Sequence, residues 1–553
     1  MTTTSHGNQE DGIAGRWRQL RQRLSEKRFI GRLLRDPCAG DATEGPGVLM
    51  IKIDGLSYRQ LQKALNGNRL PYLRHLIEAG AHELRRFYSG VPSATPAVQG
   101  ELFFGVKSSV PSIAFMDRKQ RKKLVMLFPG SVEEVAEKLA DQGTPLLQGG
   151  TSYSNIYTGG AAEARYCIQT MRLRSIGHLV SSVHLVIHFL VRPIKFFQML
   201  GYGLIEAGIA CFDFIRGATR GKNIFKEIKF IPTRVLVCIL LRELVRTRVK
   251  MDLGRGMRIV HASLLGYDEQ SHRRGPDSAF AHWTLKGIDA AIADMHRTAQ
   301  GSQCRSYRLI VYSDHGQEDV VSYSKRYGKT AEEAVEELVS AVGSGTGRKD
   351  RRCDSIRRSR GFLRQADGGK RKSVPAACFQ QEIQVTTMGP LGHVYLQRSI
   401  SPDRKAQLAD KLVHEARIPL VLYTNGDKTT AVNRRGRFDL WENRRQVLGG
   451  DHPYLDQTAA DLERVCHHSN AGDWIISGWS PNAQALTFAV ENGAHGGPGR
   501  RETEAFILLP QSNGSNTAVL RPLDLRRYVF ELLAVEPNRN PDRSQAPAKR
   551  FPG

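Results

Sequence analysis

Two hydrophobic periods alternate along this chain, and the places where one gives way to the other outline a fold. Residues 48–53 read VLMIKI, an almost unbroken apolar run that stops at Asp54-Gly55, as a strand covered on both faces and ended by a turn would. A helix-like segment follows over 58–80. Further strand-like runs lie at 257–262, 308–313, 392–397, 420–423, 474–477, 486–490 and 505–509. Helical spacing fills several of the gaps, as at 280–299 between two of these runs. Ser131-Val-Glu-Glu134 and Thr330-Ala-Glu-Glu333 both have capping-box spacing ahead of an amphipathic run. This alternation predicts an α/β fold with a mainly parallel sheet and helices on both faces.

One stretch breaks the pattern. Between 175 and 250, three apolar segments (176–191, 196–215 and 230–241) are separated by Arg and Lys. The first has three His and no Asp, Glu, Lys or Arg, while Glu206, Asp213 and Arg234 interrupt the others. None reaches the roughly 20 clean apolar residues of a spanning helix. The segment reads as an apolar helical insertion, either a subdomain packed on the core or a peripheral contact whose basic flanks meet anionic lipid headgroups. The expected organisation is a basic N-terminal arm (1–44), a core (45–174 and 251–342), the insertion (175–250), a basic linker (343–375), the rest of the core (376–525) and a C-terminal tail (526–553).

At 553 residues the chain is long enough for two or three ordinary domains or for one large domain with insertions. Eighty Lys plus Arg against 55 Asp plus Glu leave a formal charge of +25, which excludes an acidic scaffold and points to an anionic partner. The excess is concentrated. Residues 1–36 hold eight basic and four acidic residues, 172–250 fourteen and four, and 348–372 eleven and three, so these stretches carry +22 of the +25. The remaining chain is near neutral, which fits attachment to an anionic lipid surface or steering of an anionic substrate. Nucleic acid fits less well, because 348–372 has almost no aromatic residue for base stacking and no recognition motif is present. Eight cysteines, none in a CxxC pair, form neither a disulfide framework nor a zinc ribbon. The polar opening MTTTSHGNQEDG runs into Arg-rich, helix-like sequence without the apolar stretch of a secretory signal. A cytoplasmic location is therefore expected, at the inner face of the membrane if the insertion meets lipid.

Five short motifs put ligands or a nucleophile at strand ends or in loops, where open α/β sheets build their sites. They are Asp54 after the first strand, Thr95 in Pro92-Ser-Ala-Thr-Pro96, Asp268 and His272 four apart, Asp314-His315-Gly316 after a strand, and His495 in a glycine-rich loop. Each alone is a weak signal, since Asp ends many turns and an Asp–His spacing of four is often a plain ion pair. Together they supply three Asp, three His and one hydroxyl, enough for two divalent ions able to clamp the oxygens of a displacement at phosphorus. A mixed Asp/His set suits zinc or manganese better than calcium. The polar segment 149–155 adds Asn155 as a candidate donor to phosphoryl oxygens.

The order of these motifs resembles the alkaline phosphatase superfamily, most closely its type I phosphodiesterase and nucleotide pyrophosphatase branch, over about 45–510 without the insertion. The resemblance implies a metal-dependent hydrolase of phosphate esters, most closely a phosphodiesterase, with Thr95 as nucleophile. Asp54, Asp314 and His315 would share one metal with Thr95, and Asp268, His272 and His495 would hold the second. It further implies a phosphothreonine formed on Thr95 and then hydrolysed. Three departures narrow the branch. Pro-Ala-Val-Gln follows Thr95 where nucleotide pyrophosphatases carry Phe-Pro-Asn-His, which speaks against a nucleotide pocket of that type. Ser271 stands where a Gly is usual, and Val98 stands where a sulfatase would carry Arg. Two other readings stay open: a membrane-surface phospho-group transferase of the same superfamily, and a basic nucleic-acid-binding protein without catalysis.

Overall fold

Strand β1 (Gly47–Ile53) is buried at every position and lies in the middle of a seven-stranded sheet. The computed structural model describes residues 45–171, 236–343, 383–511 and 519–533. Within them the later strands are β2 (His82–Tyr88), β3 (Ala114–Asp117), β4 (Lys122–Val125), β5 (Thr151–Tyr153), β6 (Glu163–Arg165), β7 (Ile259–Leu264), β8 (Tyr307–Tyr312) and β9 (Glu318–Ser322). They continue with β10 (Ile383–Met388), β11 (Leu391–Leu396), β12 (Leu420–Asn425), β13 (Lys428–Asn433), β14 (Gly436–Asp439), β15 (Trp474–Ser477), β16 (Ala485–Thr487), β17 (Gly493–Ala494) and β18 (Glu504–Pro510). The central sheet has the order β2-β18-β8-β1-β7-β5-β6. Its five strands from β8 to β6 are parallel, and β18 runs antiparallel to both β8 and β2.

Side chains alternate across a strand, so β1 feeds two cores. Leu49, Ile51 and Ile53 pack against α1 (Tyr58–Asn66), α3 (Arg242–Gly254) and α5 (Ala279–Gln300) through residues such as Leu61, Val249 and Ile288. Val48 and Met50 face the other way, toward α2 (Thr95–Phe104) and α6 (Pro522–Leu532) through Leu102 and Val529. The expected α/β class and helix-covered parallel sheet are present. A second, wholly antiparallel sheet of order β10-β11-β15-β12-β13-β14 packs on its own core. Its hairpins were readable in principle, because Gly389-Pro390 and Gly426-Asp427 are two-residue connections.

The 58–80 segment forms two helices, Tyr58–Asn66 and Pro71–Glu78, since Pro71 disfavours a helical residue before it. Thr330 and Glu333 form the reciprocal capping box expected of them. Ser131 instead lies inside its helix, Pro129–Ala140, and accepts a hydrogen bond from Val125. Of the proposed insertion, 172–235 lies outside the described residues, as do the arm, most of the linker and the tail beyond 533. Its end does not stand apart from the core: α3 buries Val245, Val249 and Leu253 against the sheet. Likewise α6 buries Leu525, Val529 and Phe530, so the core reaches past 526. Cys304 is disulfide-bonded, whereas Cys167 and Cys466 are free and buried. Among the described residues, no helix is long and apolar enough to cross a membrane.

Candidate active site

Because β1, β7 and β8 are parallel neighbours, the residues that follow them emerge at one edge of the sheet. Asp54 leaves β1, Asp314 and His315 leave β8, and Asp268 stands in the first turn of α4 (Gly266–Arg274) beyond β7. Gly55 makes this convergence possible. Its φ is +72°, and a Cβ there would lie 2.3 Å from the Asp268 carboxylate, so only glycine lets the two loops approach. Thr95 is the first residue of α2, and His495 follows β17.

The first cluster has the dimensions of a small cation site. Thr95 Oγ1 donates to Asp314 Oδ2 at 2.9 Å and lies 3.2 Å from His315 Nε2. His315 Nε2 is 3.5 Å from Asp54 Oδ1 and 3.6 Å from Asp314 Oδ2. Ligands about 2.0 Å from a tetrahedral ion would be separated by roughly 3.3 Å, so this donor set fits one. Asp54 Oδ1 and Asp314 Oδ1 are buried without a hydrogen-bond partner, a costly state for a carboxylate oxygen unless a cation takes it. Burial and the neighbouring Asp314 charge push the Asp54 carboxyl well above its ordinary range. Asp314 moves the other way. Burial pushes it up, but the charges of His315 and Lys52 and the hydrogen bonds from Lys52 and Thr95 hold it well below.

A second cluster adjoins the first. His272 Nε2 lies 3.3 Å from Asp268 Oδ2 and His495 Nε2 3.9 Å from Asp268 Oδ1, with the two imidazole centroids 5.0 Å apart. His495 also stacks on His315 at 3.7 Å. His315 therefore stands between the clusters, and the ligand atoms close enough to share an ion are those of Asp54, Asp314 and His315 on one side and Asp268, His315 and His495 on the other. Burial pushes the Asp268 carboxyl up, but the surrounding His272, His495 and His315 outweigh it and hold Asp268 low.

The imidazoles are aimed by what they contact on their far sides. His495 Nδ1 faces the Ser93 carbonyl at 3.1 Å. Ser93 Oγ in turn donates to the Gly497 carbonyl and to Glu502, whose carboxylate accepts from the Gly497 and Gly499 N–H groups. The loop bearing Thr95 and the loop bearing His495 are thus tied together two residues from each ligand. His272 Nδ1 lies 2.8 Å from Glu491 Oε2 and 3.0 Å from the Gly493 carbonyl, and Thr487 Oγ1 donates to Glu491 at 2.6 Å. This carboxylate–imidazole arrangement directs Nε2 toward Asp268. Glu491→Gln is expected to weaken metal binding by about 10–100-fold, read by competition with a chromogenic chelator, without lowering the melting temperature of the metal-free protein.

Three site residues stand differently from the sequence reading. Asn155 is 2% exposed, and its amide is fully engaged inside the protein. Oδ1 accepts from Gln99 and Ser263, while Nδ2 meets Ser152 Oγ and His261 Nδ1. No N–H remains for a phosphoryl oxygen, so Asn155 is corrected to a packing residue behind the site. Glu491 was overlooked, since only the fold brings it to His272. Lys52 was overlooked too: wholly buried, it reaches Asp314 at 2.6 Å and Asp54 at 3.0 Å. A single charge inside GVLMIKI was the trace it left in the sequence.

No curated protein sequence matches the chain. Among solved structures it is similar to murine ectonucleotide pyrophosphatase/phosphodiesterase 5, in an inactive form in complex with AMP, at 9% identity and a TM-score of 0.46, covering 89% of this chain and 96% of that one. The human ectonucleotide pyrophosphatase/phosphodiesterase 5 gives 10% identity and a TM-score of 0.46, covering 89% and 95%. The family model for type I phosphodiesterase / nucleotide pyrophosphatase matches residues 240–454, a span that contains Asp268, His272, Asp314 and His315. Residues 240–454 of the chain are thus similar to the type I phosphodiesterase / nucleotide pyrophosphatase family.

Proposed function

We propose that this phosphoric ester hydrolase cleaves phosphodiesters through a covalent intermediate on Thr95, with two divalent ions, zinc or alternatively manganese, held by the clustered Asp and His residues. The observation that carries the reading is the Thr95 hydroxyl, set against Asp314 and His315 at 2.9 and 3.2 Å at the head of a helix. Asp54, Asp314, His315 and Thr95 would hold one ion, and Asp268 and His495 the other, joined by His272, whose Nε2 lies 3.3 Å from Asp268 Oδ2. Ions held there would neutralise phosphoryl charge and acidify the hydroxyl and water they meet.

The chain's own residues do the rest. Asp314 Oδ2 accepts the Thr95 hydrogen bond, so the nucleophile's proton points into the protein and an oxygen lone pair is left for phosphorus. Attack forms the Thr95–phosphoryl bond and releases one ester alcohol. Water then attacks the phosphothreonine, which frees a phosphomonoester and restores the hydroxyl. The Ser93–Glu502 lock holds Thr95 and His495 at fixed separation through both steps, and such positioning supplies much of phosphoryl-transfer catalysis.

The test is turnover of bis(p-nitrophenyl) phosphate by the purified full-length chain before and after exhaustive chelation. Chelation should remove more than about nine-tenths of the rate, and zinc or manganese should restore it. A rate indifferent to chelation would overturn the metal assignment.

A further inference from the structure

We propose that Lys52 is a built-in cation of the first metal site: its ammonium shares Asp54 and Asp314 with the divalent ion, holding the ligands assembled before the metal arrives and loosening the metal's hold afterwards. The inference rests on the two-metal reading above and deepens it.

The position of Lys52 is hard to account for otherwise. On β1 it falls on the same face as Val48 and Met50, in a strand buried at every residue. Lysine is almost never fully buried unless paired, and here both partners are proposed metal ligands. Nζ reaches Asp314 Oδ2 at 2.6 Å and Asp54 Oδ2 at 3.0 Å, with all three side chains at or near zero exposure. The bond to Asp54 leaves that residue's Oδ1 unpartnered on the side of His315. The ammonium and an ion at His315 would thus engage the two oxygens of Asp54 separately.

The consequence is a matter of charge. Two buried carboxylates without a cation would be strongly destabilising, and removing one partner of a buried ion pair is costly for that reason. Lys52 reduces the net charge of the pair from two negative to one. The metal-free protein is thereby spared most of that repulsion. The same ammonium repels an arriving divalent ion across a short, dry distance, where charges interact strongly. Lys52 and the metal are therefore expected to oppose each other: each should stabilise the protein more in the other's absence.

The experiment compares full-length wild type with Lys52→Met, which keeps the apolar stem but not the charge. Melting temperature is measured in EDTA and with saturating zinc, and the two zinc affinities are read by chelator competition. Lys52→Met should melt lower than wild type in EDTA, gain more on zinc addition, and bind zinc more than about tenfold tighter at one site only. If Lys52→Met is insoluble, Lys52→Gln, whose uncharged amide can still bridge both carboxylates, gives the same comparison. An equal or smaller zinc-induced gain in the variant, or unchanged affinity at both sites, overturns the proposal for Lys52 while leaving the metals in place. Wild type that binds no zinc at all would instead overturn the metal reading, and the role of Lys52 with it.

Discussion

Thr95→Ala is expected to lower phosphodiester turnover by roughly ten-thousandfold or more, the scale seen when a covalent nucleophile is removed from a hydrolase. Little stability should be lost with it. Thr95 is only partly buried, its hydroxyl makes two contacts that both belong to the site, and alanine is a good helix former at the head of α2. Thr95→Ser should keep a measurable fraction of the activity because it retains the oxygen. The decisive measurement is an acid quench with a substrate labelled at phosphorus. Label should appear on Thr95 in the wild type and be absent from the alanine variant. Unlabelled wild type during turnover would mean that water attacks directly, and the covalent pathway would be wrong.

Asp314→Ala should be comparably damaging, but for two separable reasons. Its carboxylate accepts from Thr95 and from Lys52 and faces His315, so on the function proposed above its loss would remove a metal ligand and the partner that orients the nucleophile. Activity should fall by about a thousandfold or more, and bound zinc should drop from two ions to one per chain. Unlike Thr95→Ala, this variant should also be somewhat less stable, because it truncates a buried side chain and removes the shorter Lys52 contact, although Asp54 still balances the ammonium's charge. Asp314→Asn preserves the shape and an acceptor oxygen, so it should recover part of that stability but not the second zinc. A variant with full zinc content and wild-type activity would remove Asp314 from the site.

Several of the residues gathered at the site were legible as candidates because they sit where a change of hydrophobic period marks a strand end. Asp54 follows VLMIKI, and Asp314-His315 follows another apolar run; parallel strands bring such ends to one edge without further information. Lys52 was not legible, since its meaning depends on Asp314, 262 positions away. Glu491 acts on His272 from 219 positions away, and nothing local distinguishes it from any other acid in a loop. Asn155 misled for the opposite reason. Its Ser- and Gly-rich surroundings read as an open loop, whereas the fold places it over β5 and β7 and spends its amide on Gln99, Ser263 and His261. The second sheet was hidden because apolar runs alone do not state which neighbour a strand will take.

The place of β18 bears on how such a chain comes into being. It lies between β8 and β2, although it is the last strand of the described chain. While the protein is being synthesised, β8 must wait for residues 504–510 with one hydrogen-bonding edge bare, and exposed edges of that kind recruit strands from other chains. His495 lies nine positions before β18, so this candidate ligand arrives with the strand that seals the sheet. An emerging polypeptide is thus most vulnerable to aggregation during the same interval in which it cannot yet act on a phosphate ester, and both conditions end together as the C-terminal segment leaves the ribosome.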